Sequence, residues 1–144
     1  MAEFRETVTV DAPVADVVRV LHAVETWPSW TASMSRVTRH GSGPLAVGEK
    51  VTVKQPRLPA ATWTVTALDG SGFTWTSSSP GVRSTGGHWA HEAGDGRTTV
   101  TLTLTMSGSL AGLIAALYAR LIRRYVRTEA EGLRREVQRR AAGR

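Results

Sequence analysis

The feature that most constrains this chain is the contrast between its middle and its end. From Val37 to Met106, short segments typical of β-strands alternate with turn-forming residues. From Leu110 to about Arg140 the chain has no proline. Only two glycines, Gly112 and Gly132, interrupt residues that favour a helix. Such a helix would be about 45 Å long at ~1.5 Å per residue. A row of strands followed by one long helix predicts an α+β fold.

The strands are predicted at residues 4–10, 37–39, 50–55, 61–68, 73–78, 85–91 and 98–106. Their connections are short, which favours an antiparallel meander over crossover helices. The last strand has the clearest alternation, since its odd-numbered positions from 99 to 105 are threonines. Its even-numbered positions are apolar: Val100, Leu102, Leu104 and Met106. This pattern predicts a sheet with one buried face.

Two short helices are predicted between the first and second strands. Pro13 opens the first helix, because proline is tolerated in a first helical turn. Apolar residues continue at helical spacing to Val24, and Trp27-Pro28 ends the helix. Residues 27–31 form a second short helix or turn. Only the long C-terminal helix is then available to cover the seven-stranded sheet, and a sheet curved around one helix leaves a pocket between them.

The apolar stripe of the long helix is concentrated in its first part. Its members are Leu110, Leu113, Ile114, Leu117, Leu121, Ile122, Tyr125 and Val126. After Val126 only Leu133 and Val137 continue the stripe. The pattern predicts a helix that the sheet holds over its first half, with a basic end at about 127–144 that projects or frays.

The composition narrows the class of protein. The chain has 144 residues, 41% of them hydrophobic, which suits one domain over residues 1–144. It lacks cysteine, which excludes disulfides and thiolate chemistry. No apolar run is long enough to span a bilayer, and residues 1–10 lack the apolar centre of a signal peptide, so we predict a cytoplasmic protein. Nucleophile-elbow, phosphate-loop and dinucleotide motifs are missing, and no cofactor is predicted.

The net charge of +6 comes from one segment. Residues 120–144 contain nine arginines and three glutamates, whereas the other 119 residues contain nine basic and nine acidic side chains. A nucleic-acid binder more often spreads its basic patch over the body of the domain, so nucleic acid is an improbable partner. A solvated helix face is the simpler interpretation. An interaction module in which this Arg-rich helix contacts RNA or an anionic membrane stays open.

Several segments resemble the START-related, Bet v 1-like helix-grip superfamily. They are Val10-Asp11-Ala12-Pro13, Trp27-Pro28-Ser29-Trp30, Gly48, the turn Gly94-Asp95-Gly96-Arg97 before the last strand, and the long C-terminal helix. The resemblance covers roughly residues 6–137, and the bacterial polyketide cyclase/dehydrase branch is the most similar. The resemblance implies a helix-grip domain that binds a lipid, a polyketide or another small hydrophobic molecule. The same branch implies a second hypothesis, a polyketide cyclase or dehydratase, and the sequence leaves both open, along with a monomeric or homodimeric state.

Candidate ligand-binding residues follow from strand and helix phase. Trp63 and Trp75 are in phase with apolar neighbours on their strands, and indole suits a flat ligand with few polar groups. Trp27 and Trp30 are three residues apart and are candidates for the pocket mouth. The remaining candidates are Gln55 and Ser77 on strands and Leu117, Tyr118, Leu121 and Tyr125 on the helix.

His88 is the candidate acid–base group. Alternation on its strand allows only one of His88 and Trp89 to face inward, and we assign His88 to the concave side. A histidine there can transfer protons near neutral pH, with Tyr118 as a second proton-transfer group. The alternative is a structural histidine bonded to a neighbour. His88 and His91 point to opposite faces of a strand, so no metal site is predicted.

Overall fold

The computed structural model describes residues 1–143 and confirms the predicted helix-grip architecture. Its strands are β1 (Ala2–Val10), β2 (Arg36–Arg39), β3 (Lys50–Lys54), β4 (Ala61–Asp69), β5 (Gly72–Ser79), β6 (Val82–Gly94) and β7 (Arg97–Ser107). Helix α1 (Val14–His22) and a 3₁₀ helix (Val24–Ser29) lie between β1 and β2. Helix α2 (Ala111–Ala142) follows β7.

The seven strands form one antiparallel sheet in the order β1-β7-β6-β5-β4-β3-β2. Strands β2 to β7 are neighbours in chain order, as the short connections predict. Strand β1 pairs with β7 and forms the other edge of the sheet. The two short helices therefore connect the two edges of the sheet. His88 on β6 is registered with Phe73 on β5 and with Leu102 on β7. This register brings an aromatic ring, an imidazole and a leucine side by side.

The end of α1 is stabilised by a side chain from the 3₁₀ helix. Val17, Val20 and Leu21 of α1 are buried. The indole Nε1 of Trp27 donates to the carbonyl oxygens of Val20 and Leu21, at 3.3 and 3.2 Å. Carbonyls in the last turn of a helix lack partners within the helix, so the Trp27 indole supplies part of the cap. Trp27 is thereby fixed in the core.

Helix α2 differs from the expectation that it is held only over its first half. We divide it into a first half (residues 111–126) and a second half (residues 127–142). In the second half Ala130, Leu133 and Val137 are buried in the main core, and the helix stays regular to Ala142. The predicted projecting or frayed end is wrong for residues 127–143, and Arg144 lies outside the described residues. Leu133 and Val137 are enough to hold the second half of α2 in place, because α1 and β1 pack against it.

Two apolar clusters make up the core. The main cluster joins α1, the 3₁₀ helix, the concave face of the sheet and the second half of α2. The smaller cluster joins the first half of α2 to β1 and β7 through Phe4, Met106, Ala111, Ala115 and Ile122. Between these two clusters the sheet and α2 are separated, and the space between them forms a cavity. Within residues 1–143 no helix is long and apolar enough to cross a membrane.

Candidate functional site

A cavity of about 390 Å³ lies between the concave face of the sheet and α2. Its lining is mostly apolar, with a few hydroxyl, amide and titratable groups. The side chains that enclose it include Met34, Val53, Gln55, Leu58, Trp63, Trp75, Ser77, Val82, Ser84, His88, Leu102, Thr103, Ile114, Tyr118, Ile122, Tyr125 and Glu129. A volume in this range fits a small organic ligand, and the convergence of a few polar groups on an apolar chamber is typical of a binding site.

Two tryptophans form one wall of the cavity. Trp63 on β4 and Trp75 on β5 have ring centroids 5.7 Å apart and an interplanar angle of 34°. Gly86 on β6 makes room for this wall, because a Cβ there would lie 2.9 Å from the Trp75 indole nitrogen. A glycine in the middle of a strand is otherwise unfavourable. The strand sequence is thus adapted to a large, flat, apolar surface inside the protein.

The cavity opens near the start of α2. Exposed lining residues mark the mouth: Tyr118 on α2, Pro59 in the β3–β4 loop, and Ser79 and Pro80 at the β5–β6 turn. Tyr125 ties the β3–β4 loop to α2, since its hydroxyl donates a hydrogen bond to the carbonyl oxygen of Pro56. The Tyr125 phenol is therefore already engaged at the mouth.

His88 lies at the closed end of the cavity. Its ring stacks on Phe73 at 4.5 Å between centroids and meets Trp27 at 5.0 Å and Trp75 at 5.4 Å. Burial among these rings lowers the pKa of His88 to about 3, and the nearby Phe73 backbone opposes this only weakly. Among the described residues no hydrogen bond of normal geometry reaches His88 Nδ1. The imidazole is therefore neutral at pH 7.

Glu129, from the second half of α2, faces His88 across the closed end. Its Oε1 lies 3.6 Å from His88 Nε2, and both side chains are buried. Burial raises the pKa of Glu129 to about 8, so the carboxyl group is mostly protonated at pH 7. The separation falls within ion-pair range, but desolvation outweighs the attraction between the charged forms. The pair is best described as a neutral carboxylic acid beside a neutral imidazole.

The structure places seven of the eleven sequence-predicted site residues around the cavity. These are Gln55, Trp63, Trp75, Ser77, His88, Tyr118 and Tyr125. Four others lie outside the lining: Trp27, Trp30, Leu117 and Leu121. Trp27 is fully buried as the cap of α1, and Trp30 packs against Gly132 of α2. Leu117 points to solvent on the outer face of α2.

Glu129 is the site residue that the sequence interpretation missed. The signal was present in the helix pattern, because Glu129 continues the apolar row of Ile122 and Val126 towards Leu133 and Val137 in steps of three or four residues. A carboxylate in such a row faces the interior. The sequence obscures this position because the apolar stripe thins after Val126 and the neighbouring residues are mostly charged.

The described residues contain no group of three or more His, Cys, Asp or Glu side chains that could hold a metal ion. His88 and Glu129 are the two titratable groups with strongly shifted pKa values that line the cavity. The site can therefore offer a ligand an aromatic wall, a few hydroxyl and amide groups, and one neutral acid beside one neutral base.

A curved antiparallel sheet that holds a long helix over an apolar cavity defines a helix-grip protein of the START and Bet v 1-like kind. The family described as "Polyketide cyclase / dehydrase and lipid transport" matches residues 1–138, and the chain belongs to this family. No curated protein matches the sequence.

Solved structures with the same fold come from bacteria and plants. The Zhui aromatase/cyclase from a Streptomyces species has a TM-score of 0.78 and 20% identity, covering 97% of this chain and 95% of that one. A norcoclaurine synthase mutant from Thalictrum flavum gives 0.75 at 11% identity, covering 97% and 96%. A START superfamily protein from Mycobacterium smegmatis gives 0.72 at 11% identity, covering 95% and 97%. At these identities the similarity establishes the fold alone.

Proposed function

We propose that this protein binds a small hydrophobic molecule with a flat or aromatic part in the cavity between the sheet and α2. The observation that carries this proposal is the 390 Å³ apolar chamber walled by Trp63 and Trp75. An apolar ligand gains affinity from the area it removes from water, and an indole face adds a favourable aromatic contact. Family membership supports a ligand of lipid or polyketide type.

The polar groups in the cavity suggest where a ligand's polar atoms would lie. Gln55 and Ser77 line the chamber on the side of β3 and β5. At the closed end the protonated Glu129 carboxyl is a hydrogen-bond donor in an apolar setting. A ligand with a carbonyl oxygen at its buried end would satisfy this donor, whereas a purely hydrocarbon ligand would leave it unpaired at a cost of roughly 1–3 kcal/mol.

Titration with a neutral fluorescent aromatic probe, such as a naphthol, tests the binding proposal. Trp63→Ala removes one face of the aromatic wall and should weaken probe binding by about tenfold, a loss of roughly 1.4 kcal/mol. Trp89→Ala is the matched control, because Trp89 is a half-buried tryptophan on β6 outside the cavity lining. Native mass spectrometry of protein purified from its own source identifies any retained ligand. Equal probe affinities in both variants would contradict the proposal.

A second candidate function, a cyclase or dehydratase, is favoured by the contact between His88 and Glu129. In a dehydration, His88 accepts a proton from a carbon beside a carbonyl, and Glu129 donates its proton to the departing hydroxyl group. A carbon–carbon double bond forms and water leaves. The proton on His88 then returns to Glu129 across their contact. Tyr118 stands at the mouth and would orient the substrate.

Single replacements separate catalysis from binding. His88→Gln and Glu129→Gln should each lower turnover of an aromatic polyketide-type substrate by about a hundredfold or more while the affinity for the naphthol probe changes little. Tyr118→Phe should have a smaller effect, since its phenol lies near solvent. If turnover is undetectable in the unaltered protein with any such substrate, or is unchanged in both variants, the enzymatic candidate is wrong and the binding proposal stands alone.

A further inference from the structure

An exposed leucine ridge begins at the residue before α2 and continues on the outer face of the first half of the helix. Leu110, Leu113 and Leu117 are 44%, 58% and 69% exposed. They follow one another at steps of three and four residues, so they form a continuous row on one helix face. Exposed leucines are ordinary when they are scattered, but a contiguous row marks an interaction surface.

Arginines continue the same face of the helix. Arg120 and Arg124 follow Leu117 at steps of three and four residues, and both are exposed. Across residues 1–143 neither of them forms an ion pair. In the second half of α2, Arg134, Arg139 and Arg140 are paired with glutamates on their own helix, whereas Arg127 and Arg135 form no ion pair among the described residues. The leucine ridge is therefore followed by two exposed arginines that form no ion pair within residues 1–143.

The chain segments around the cavity mouth contain no acidic residue, whereas Glu3 and Glu6 of β1 lie near Arg123 and Arg127 of α2. Residues 96–128 contain no aspartate or glutamate, and neither do residues 50–68 or 70–91. These segments supply the start of α2, the β3–β4 loop and the β5–β6 turn, which together surround the cavity mouth. Arg57 in the β3–β4 loop and Arg83 at the start of β6, both exposed, add positive charge there. The loops around the mouth are thus positively charged.

We propose that this surface, defined by Leu110, Leu113, Leu117, Arg120 and Arg124, docks on the surface of a lipid bilayer that contains anionic lipids. Leucines on a convex helix ridge can enter the boundary between headgroups and acyl chains, and guanidinium groups one and two turns away reach lipid phosphates. A flat or convex protein partner would leave the leucine ridge incompletely covered, whereas a fluid bilayer adapts to it.

The proposal concerns a surface outside the cavity and is separable from ligand binding. The test is co-flotation of the full chain with vesicles of phosphatidylcholine alone or with about one-third phosphatidylglycerol. We expect binding to the anionic vesicles to be at least tenfold stronger and to weaken as salt is raised, because each arginine near such a surface contributes about a fivefold factor.

Two double variants dissect the surface. Leu113→Ser with Leu117→Ser should reduce binding to the anionic vesicles by about tenfold or more, because it removes the inserting side chains. Arg120→Gln with Arg124→Gln should reduce it by a similar factor and abolish most of the preference for anionic lipid. The matched controls are Val47→Ser, which removes a 61% exposed apolar residue in the β2–β3 loop, and Arg97→Gln in the β6–β7 turn. Both controls lie at the opposite end of the sheet and should bind as the unaltered chain does.

Circular dichroism melting and naphthol-probe binding verify that each variant is folded. Failure of the unaltered chain to float with anionic vesicles would overturn the proposal, as would undiminished flotation of the folded leucine variant. A dimer in solution that the leucine variant dissociates, together with no vesicle binding, would assign the ridge to self-association instead. Probe binding that persists in any of these cases leaves the proposed cavity function intact.

Discussion

In α2 the more hydrophobic first half has the more exposed apolar side chains, whereas the more charged second half has the more deeply buried ones. The first half is rich in leucine and isoleucine, yet Leu113 and Leu117 are among the most exposed apolar side chains of the described residues. The second half is rich in arginine and glutamate, yet Leu133 and Val137 are almost inaccessible to solvent. The first half borders a cavity and a surface, whereas the second half completes the core. Apolar content therefore indicates a helix's role poorly when part of its apolar face lines an open chamber.

Truncation of one leucine in each half gives the largest expected contrast. Leu133→Ala should destabilise the protein by about 4 kcal/mol, because it leaves a cavity in the main core. Leu117→Ala should change stability by less than about 0.5 kcal/mol, because the side chain is in solvent. Urea unfolding of both variants measures the difference. Equal losses would show that both halves contribute equally to the core.

The pH dependence of stability tests the burial of Glu129 in the second half. A carboxyl whose pKa is raised from 4.5 to about 8 on folding contributes stability at low pH that is lost as pH rises through 8. Its full size is bounded near 5 kcal/mol, and water entering the cavity reduces the expected loss to about 3 kcal/mol between pH 5 and 9.

Glu129→Gln has no ionisable group at this position and should lack that loss. The free energy of unfolding of both proteins is measured at several pH values. Their difference at each pH cancels the contributions of all other groups. His88 acts in the opposite direction, since its lowered pKa gives stability that is lost as pH falls from 6.5 towards 3. A difference that stays constant from pH 5 to 9 would show that the Glu129 carboxyl is hydrated in the folded protein.

The two glycines of α2 give a smaller contrast of opposite sign. A Cβ at Gly132 would lie 2.3 Å from the carbonyl oxygen of Trp30, so Gly132→Ala must displace backbone and should cost about 2 kcal/mol. A Cβ at Gly112 meets no atom within 4 Å, so Gly112→Ala should stabilise the protein by up to about 1 kcal/mol through helix propensity. Thermal melting of the two variants measures both effects. A stabilising Gly132→Ala would contradict the close packing of the second half on Trp30.

Much of the fold follows from local patterns in the sequence. Alternation and turn residues located all seven strands, and the proline-free stretch from Leu110 gave α2 to within two residues at either end. Strand β6 is longer than predicted, at Val82–Gly94, because its ends are paired with β7 beyond the alternating segment. On the same strand the alternation assigned His88 to the concave side, where the structure has it.

The assembly of the site depended on contacts between elements distant in the chain. Trp27 and Trp30 resemble ligand-binding residues in the sequence, but one caps α1 and the other packs on Gly132. Glu129 resembles a surface residue of an Arg-rich helix, but it meets His88 from the sheet. The sequence determined each element and its apolar face, because strand and helix periods are local properties. Only the tertiary structure decided which part of the apolar face of α2 fills the core, which part lines the cavity and which part stays in solvent, because burial depends on the element that packs opposite.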